Sequence, residues 1–215
     1  MEIDNNKKPV QNPLDKPTDQ ETTNLFKETK RAIKRYIPFA IELVKIAVIA
    51  FIIVAPIRYF LFQPFIVSGA SMAPNFETGD YLIVDEISYR LSAPQRGDVI
   101  IFDASFIQGY KGQRFIKRVI GLPGETVNIT NGKVEVVKDG KTTVLDEKYL
   151  PNDLQTYGDT STTLKSDQYF VLGDNRQYSY DSRMWGVVHK NNIIGKALLR
   201  VLPITNISEI SRPAY

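Results

Sequence analysis

The chain has 215 residues and a formal net charge of +3, and it contains no cysteine and a single histidine. These numbers exclude a disulfide framework, cysteine chemistry, cysteine-ligated metal and a histidine-rich metal site. The small net charge gives no indication of nucleic-acid binding. The 43% of hydrophobic residues is sufficient for a packed core.

Residues 1–24 are polar and show no hydrophobic periodicity, so we predict a disordered tail. Residues 25–36 form a basic segment, whose cationic residues are Lys27, Lys30, Arg31, Lys34 and Arg35. Far fewer cations closely follow the next, apolar segment. The positive-inside rule therefore predicts that the N-terminus is cytoplasmic.

Residues 37–58 are almost entirely apolar and are long enough to cross the roughly 30 Å hydrocarbon layer as one helix. Glu42 and Lys45 interrupt this segment, and they lie three residues apart on one helical face, where they can pair. The run from Ile46 to Ile57 is apolar on every face of a helix, which disfavours a helix lying on a surface. A buried core helix is the other alternative. We predict a single-pass anchor in the cell membrane.

Residues 59–215 change to short runs rich in Val, Ile, Tyr and Phe, separated by turns. Asn131-Gly132 and Asp139-Gly140 are hairpin-turn dipeptides, and residues 151–167 read as a polar loop. We predict a mostly β extracytoplasmic domain, with a small inserted region at about 125–170. The aromatic residues expected at the membrane interface are Tyr59, Phe60, Phe62 and Phe65.

The segment SGASM, residues 68–72, presents Ser71 as a candidate nucleophile. A serine hydroxyl is a poor nucleophile until a base removes its proton. His189 has no acidic neighbour in the sequence, so a structural role is its simpler interpretation, and a carboxylate is a weak alternative base. A lysine serves only when it is neutral, which burial in an apolar site can achieve by lowering its pKa.

The segment RFIKRVIGLPGE places Lys117 among apolar residues. In an extended strand Phe115, Lys117 and Val119 share one face, while Arg118 lies on the other. Arginine does not lose its proton in a protein, so Lys117 is the candidate base. The alternative is a lysine that protects an edge strand from aggregation.

Five segments occur in a fixed order: SGASMAP, GDYLIVDE, RGDVIIF, FIKRVIGLPGE and GDNRQYSYDSRMWGVV. Together, from about Pro64 to Leu202, they resemble the type I signal peptidases of bacteria, and the Gly-Xaa-Ser-Met form resembles Gram-positive members. The Ser-Met segment alone also resembles self-cleaving repressors related to LexA, but such repressors need an N-terminal DNA-binding domain. The resemblance implies the signal-peptidase/LexA-like β fold.

For function, the resemblance implies a membrane-bound serine endopeptidase that removes signal peptides by a Ser–Lys dyad. Ser71 matches the nucleophile and Lys117 the general base. The expected partners are secretory preproteins, membrane lipid and the Sec translocation machinery. No nucleic acid, metal or cofactor is expected.

The last segment holds further candidates. The resemblance implies that Ser179 hydrogen-bonds the lysine amine and that Asp181 and Arg183 form a supporting salt bridge, with Asp174 and Arg176 nearby. From the residues alone, a solvated loop with ordinary ion pairs is equally consistent. Many members have Asp-Asn where this chain has Gln177-Tyr178.

Some members carry a serine two positions before the nucleophile, where it helps to bind the oxyanion; this chain has Gly69. The oxyanion is then expected to rest on the Ser71 N–H and a second donor that the sequence does not identify. We expect the substrate to extend between strand edges near residues 67–70 and 113–116. The predicted substrate-binding residues are Val67, Gly69, Ala70, Met72, Phe115 and Ile116.

Two alternatives of another kind stay open. One is a catalytically silent paralogue that acts as a membrane-tethered binding module. The other is a membrane-anchored structural protein with a β ectodomain, against which the ordered serine, lysine and Gly-Asp-Asn-Arg segments argue.

Overall fold

The computed structural model describes residues 19–56, 62–152 and 154–215. The chain divides into two compact units, a helical one up to Val54 and a second one from Ala55 onward. The predicted tail at residues 1–18 lies outside the described residues.

Helix α1 extends from Asp19 to Pro56. Its first residues were predicted as disordered tail, and this is wrong for residues 19–24: Thr23 Oγ1 donates to Asp19 O (2.6 Å), and Gln, Glu, Leu and Lys nearby favour helix. The stretch Thr22–Val54 is long and apolar enough to cross a membrane, and an 18-residue window within it has a mean hydropathy of 2.5. Lys45 Nζ lies 2.9 Å from Glu42 Oε1 on this helix, as their spacing predicted.

The second unit is mostly β, as predicted. In chain order its described strands are β1 (Phe62–Ile66), β2 (Tyr81–Asp85), β3 (Val99–Asp103), β4 (Arg114–Gly121), β5 (Thr126–Thr130), β6 (Lys133–Lys138), β7 (Lys141–Val144), β8 (Thr160–Thr163), β9 (Gln168–Leu172), β10 (Val188–His189), β11 (Ile193–Leu202) and β12 (Ser208–Glu209). Two short helices, α2 (Ser88–Leu91) and α3 (Ser182–Trp185), accompany them. Lys190–Asn192 and Ile204–Asn206 form 3₁₀ turns.

The strands form two antiparallel sheets. The larger has the order β1-β2-β11-β3-β4-β9-β10, and β12 pairs with β11; the smaller has the order β7-β6-β5-β8. In the sequence, the strands of the smaller sheet lie between β4 and β9. Its two hairpins turn at Asn131 and Asp139, which have φ values of 53° and 49°. Each is followed by glycine, so the predicted hairpin dipeptides are confirmed.

Two local predictions differ from the structure. Residues 160–163, predicted as part of a polar loop, form β8, which pairs with β5 at the edge of the smaller sheet. Its sequence TSTT lacks an apolar face because the strand is partly exposed, although β-branched threonine suits a strand. Phe65, predicted at a membrane interface, is partly buried and packs against a core cluster, and its position relative to the membrane stays a prediction. Tyr59 and Phe60 lie outside the described residues, and the Phe62 side chain is likewise not described.

The core that positions the connection between β1 and β2 is a cluster of buried side chains. Val67 and Met72, from this connection, pack there with Leu82 and Val84 of β2 and Ala197 of β11. The two anchors flank Ser71, so the loop that carries the candidate nucleophile is fixed to the larger sheet at both ends.

Candidate active site

Ser71 and Lys117 lie side by side, although 46 residues separate them in the sequence. Lys117 Nζ is 2.7 Å from Ser71 Oγ, and it also donates to Ile116 O (2.9 Å). The contact lies within hydrogen-bond distance for proton transfer between an amine and a hydroxyl. The two candidates selected from the sequence are therefore in direct contact.

Lys117 is buried, with 4% of its surface exposed. It lies on β4, opposite Ile100 of β3, and β4 lies between β3 and β9 in the sheet. The alternative of a lysine that protects an exposed strand edge from aggregation is wrong because the Lys117 side chain is buried. Burial lowers the pKa of Lys117 to about 8, while the carboxylates of Asp181 and Asp174 act in the opposite direction. A lysine with this pKa is neutral in a substantial fraction of molecules at mildly alkaline pH.

Buried residues on either side of Ser71 fix the loop between β1 and β2 to the protein. Val67 N donates to Asp80 O and Gly79 N donates to Val67 O, both at 2.9 Å. Val67 and Met72 are almost fully buried. The prediction that these two residues contact substrate is wrong for their side chains, because both point into the apolar core rather than into the cleft beside Ser71.

A cleft of about 340 Å³ opens beside the two candidates. The predicted Gly69, Ala70, Phe115 and Ile116 line it together with Ser71 and Lys117. Sequence reasoning missed its aromatic wall, in which the Tyr110 ring centroid lies 5.0 Å from that of Phe115 and 5.7 Å from that of Tyr180. Tyr178 also lines the cleft. Tyr110 lies in a loop without periodicity, so no sequence signal indicated it.

Ser179 does not form the expected hydrogen bond with the lysine amine. Its Oγ is buried and has no hydrogen-bond partner within the described part of the chain. It lies close to Gly173: a Cβ on Gly173 would come within 2.1 Å of Ser179 Oγ and 2.3 Å of Ser71 O. The glycine thus allows the Ser179 turn and the Ser71 loop to meet.

Asp181 and Arg183 form an ion pair, with Arg183 Nη2 2.8 Å from Asp181 Oδ2. The same carboxylate accepts from the backbone N–H groups of Gly173 (3.1 Å) and of Arg183 at the start of α3 (3.3 Å). Asp174 and Asp181 are fully buried and Arg176 is 2% exposed. The interpretation of this segment as a solvated loop with ordinary ion pairs is therefore wrong.

Asp174 and Arg176 each pair with a residue that the sequence did not single out for that purpose. Asp174 Oδ2 lies 2.6 Å from Arg118 Nη2, and Arg176 Nη2 lies 2.5 Å from Glu147 Oε1. The first pair connects the turn after β9 to β4 next to Lys117. The second connects it to the loop after β7.

Comparison with known proteins identifies the family. The family model "Signal peptidase, peptidase S26" matches residues 40–202. The chain belongs to this family. It is 40% identical to the probable signal peptidase I-1 of Synechocystis sp. over 169 residues, covering 77% of this chain and 84% of that one. It is 42% identical to the signal peptidase I of Leptolyngbya laminosa over 165 residues, covering 73% and 77%.

A relative in Bacillus agrees with this assignment. The signal peptidase I of Bacillus caldolyticus is 38% identical over 168 residues, covering 72% of this chain and 87% of that one. A crystal structure of a signal peptidase I from Enterococcus faecalis is 32% identical and covers 49% of this chain and 97% of that chain, with a TM-score of 0.40. The resemblance predicted from the sequence is confirmed.

In this member of the signal peptidase family the only histidine lies away from the serine. His189 pairs with Gln168 at the start of β9, whereas Gly173, which adjoins Ser71 O, follows the end of that strand. The His189 side chain is 47% exposed, and its Nδ1 lies 2.8 Å from Asp167 Oδ2. The acidic neighbour that the sequence did not reveal is therefore present, but the pair is on the surface.

The described residues contain no cluster of three or more His, Asp or Glu side chains that could hold a metal ion. The cleft of this signal peptidase family member is lined by the Ser71 hydroxyl, the Lys117 amine and further polar side chains, which are Ser68, Tyr110, Arg114, Tyr178 and Tyr180; of these, Ser71 and Lys117 form a hydroxyl–amine pair within hydrogen-bond distance. This pair is suited to nucleophilic attack on a carbonyl carbon.

Proposed function

We propose that this protein is a membrane-bound serine endopeptidase that removes N-terminal signal peptides from exported preproteins, with Ser71 as nucleophile and Lys117 as general base. The 2.7 Å separation of Lys117 Nζ and Ser71 Oγ carries the proposal. The burial that lowers the pKa of Lys117 to about 8 supports it, because only an uncharged amine can accept a proton. The names of the relatives supply the substrate class.

The reaction begins when neutral Lys117 accepts the proton of the Ser71 hydroxyl. Ser71 Oγ then attacks the carbonyl carbon of the scissile peptide bond, and the carbonyl oxygen becomes an oxyanion near the Ser71 N–H. Lys117 passes its proton to the leaving amine, and the C–N bond breaks to give an acyl-enzyme. Lys117 next accepts a proton from water, which attacks the ester carbon. The serine recovers its proton as the signal peptide leaves.

The substrate binds as an extended segment along β4. Strand β9 pairs with β4 only from Arg118 onward, so from Phe115 to Lys117 the side of β4 opposite β3 has no strand neighbour in the described part of the chain. On the opposite wall of the cleft, the backbone groups of Val67 and Gly69 are already bonded to Asp80, Gly79 and Thr78. In the described part of the chain, the backbone groups of Ser68 and the N–H of Ala70 remain available for pairing on that wall.

Helix α1 anchors the enzyme, with the basic segment before it in the cytoplasm and the β unit outside. Enzyme and preprotein then share one membrane, which raises the concentration at which they meet. The proposed partners are therefore secretory preproteins, membrane lipid and the Sec translocation machinery.

Cleavage of one labelled precursor by the detergent-solubilised full chain tests the proposal. The wild type should release the mature protein, whereas Ser71→Ala and Lys117→Arg should lose cleavage, because the first lacks the nucleophile and the second cannot give up its proton. His189→Ala is the control and should retain most activity. Full activity in Lys117→Arg would refute the dyad. A wild type that binds the precursor without cleaving it would favour the silent binding module.

A further inference from the structure

Asn175, which lies outside the loop, holds the two consecutive peptide units on either side of Ser71: Ala70 O belongs to the unit that joins Ala70 to Ser71, and Ser71 O belongs to the unit that joins Ser71 to Met72. Asn175 Nδ2 donates to Ala70 O (3.0 Å), and Asn175 N donates to Ser71 O (3.0 Å). Asn175 belongs to the turn after β9, whose neighbours Asp174 and Arg176 are locked in the buried ion pairs described above. The two donors therefore come from a rigid part of the molecule.

The Ser71 N–H belongs to the same peptide unit as the Ala70 carbonyl. A peptide unit is planar and trans, so its C=O and N–H point in opposite directions, and fixing one direction fixes the other. In the described part of the chain the Ser71 N–H donates to no protein group. It is thus available to a ligand in the cleft, while the oxygen at the other end of its peptide plane is bound to Asn175.

We infer that Asn175 is a positioning residue that aims the Ser71 N–H at the oxyanion of the reaction. This inference rests on the proposed function. The direction of the Ser71 N–H matters because donors in an oxyanion hole stabilise the transition state only when their geometry is fixed. Loss of one such donor lowers kcat by about 100- to 1000-fold in other proteases. The hydrogen bond at the carbonyl also polarises the amide, which makes the N–H a stronger donor.

Other bonds would keep the loop folded without the Asn175 side chain. Ala73 N also donates to Ala70 O (3.2 Å), and Thr78 Oγ1 lies 3.1 Å from both Gly69 N and Gly69 O. The Asn175 backbone bond to Ser71 O is independent of the side chain. A substitution of Asn175 therefore removes the shorter of the two hydrogen bonds that fix the direction of the Ala70 carbonyl, while the anchors of the loop persist.

Two variants of the full chain in detergent test the inference. Asn175→Asp keeps the shape of the side chain but replaces the donor by an oxygen, and Asn175→Ala removes the side chain without adding charge. Gln177→Ala, an exposed position on the same turn, is the matched control. For each protein, kcat and KM are measured with a labelled peptide substrate, together with the inhibition constant of a peptide aldehyde of the same sequence.

The aldehyde reports on the oxyanion because its adduct carries one. Ser71 Oγ adds to the aldehyde carbon, the C=O π bond opens onto oxygen, and Lys117 takes the serine proton. In both Asn175 variants we expect kcat to fall about 10- to 100-fold and the aldehyde inhibition constant to rise by a similar factor. KM should stay within about threefold, because the misdirected amide matters mainly in the tetrahedral state. Gln177→Ala should match the wild type.

A purely structural role would lower the melting temperature and change kcat and KM without the selective loss of aldehyde affinity, and that result would overturn the inference. So would either variant with wild-type kcat and wild-type aldehyde affinity. If Asn175→Ala unfolds, Asn175→Asp decides by the same criteria. Wild type and Ser71→Ala are assayed in parallel: a wild type that fails to cleave contradicts the proposed function, whereas cleavage by wild type and equally by the Asn175 variants contradicts only this inference.

Discussion

At the scale of single residues, the site depends on a lysine held in surroundings that disfavour its charge. Burial lowers the pKa of Lys117 from 10.5 to about 8, a shift that corresponds to about 3 kcal/mol at a pH below both values. The same burial that makes the amine a usable base therefore destabilises the folded protein at neutral pH. Nearby Asp174 and Asp181 limit this shift, because negative charge favours the ammonium form.

The stability of a Lys117→Met variant tests this cost. Between pH 8 and pH 10.5 the unfolded chain binds a proton that the folded chain has lost, so the wild type gains stability as pH rises through this window. Methionine has no such proton. The quantity of interest is the free energy of unfolding of the variant minus that of the wild type. We expect this difference to be larger at pH 6.5 than at pH 10.5, by up to about 3 kcal/mol. Denaturant unfolding at several pH values measures this, and a difference independent of pH would contradict it.

The sequence identified Ser71 and Lys117 because each stands in a recognisable pattern, but it did not predict how their neighbours are used. Val67 and Met72 border the nucleophile in the sequence, yet their side chains belong to the core. Ser179 was expected to bond the lysine and instead lies beside Gly173, with no hydrogen-bond partner for its Oγ among the residues that the structure describes. Such side-chain directions depend on tertiary packing, which a single sequence does not specify.

At the scale of elements, β4 and the turn after β9 are joined by the buried ion pair of Arg118 and Asp174. Strand β4 and the hairpin turns were predictable because a short run rich in Phe, Ile and Val and the turn dipeptides are local signals. The pairing of Arg118 with Asp174 was not, since 56 positions separate the two residues. From the sequence Arg118 was considered only as a rival base.

Asp174→Asn should therefore destabilise the fold strongly. It leaves the Arg118 guanidinium buried without its counter-charge, and breaking a buried pair in this way costs about 3–5 kcal/mol. Asp146→Asn is the matched control, because Asp146 pairs with Lys148 (2.7 Å) on the surface with side chains 55% and 80% exposed; we expect a change below about 1 kcal/mol. Denaturant unfolding measures the loss of stability in both variants. Equal losses would show that the buried Arg118–Asp174 pair stabilises the fold no more than the exposed Asp146–Lys148 pair does.

At the scale of the whole molecule, the proposed function assigns membrane anchoring to the helix and catalysis to the β unit. Composition and hydropathy were sufficient to predict one long apolar helix followed by a mostly β unit. The boundary of the helix was less predictable: α1 begins at Asp19, within the segment predicted as tail. Polar residues with good helix propensity give no hydrophobic signal that would distinguish the two states.

The absence of cysteine makes the proposed orientation directly testable. Single cysteines introduced at Lys34, before the apolar stretch, and at Lys138, in the smaller sheet, provide unique labelling sites. The assay uses intact cells in which the reagent reaches the outer face of the cytoplasmic membrane. A membrane-impermeant maleimide should then label Lys138→Cys and not Lys34→Cys, which should react only after detergent is added. The wild type is the blank. The reverse pattern would place the β unit in the cytoplasm and exclude the proposed topology.

The pH dependence of precursor cleavage tests the central claim most directly, since it reports the protonation state in which the enzyme works. If neutral Lys117 is the base, log(kcat/KM) should rise with unit slope below about pH 8 and level off above it, because the fraction of uncharged amine then saturates. His189→Ala should leave that midpoint unchanged. A profile that is already flat between pH 6 and pH 9, or a midpoint that follows the histidine substitution, would contradict the account.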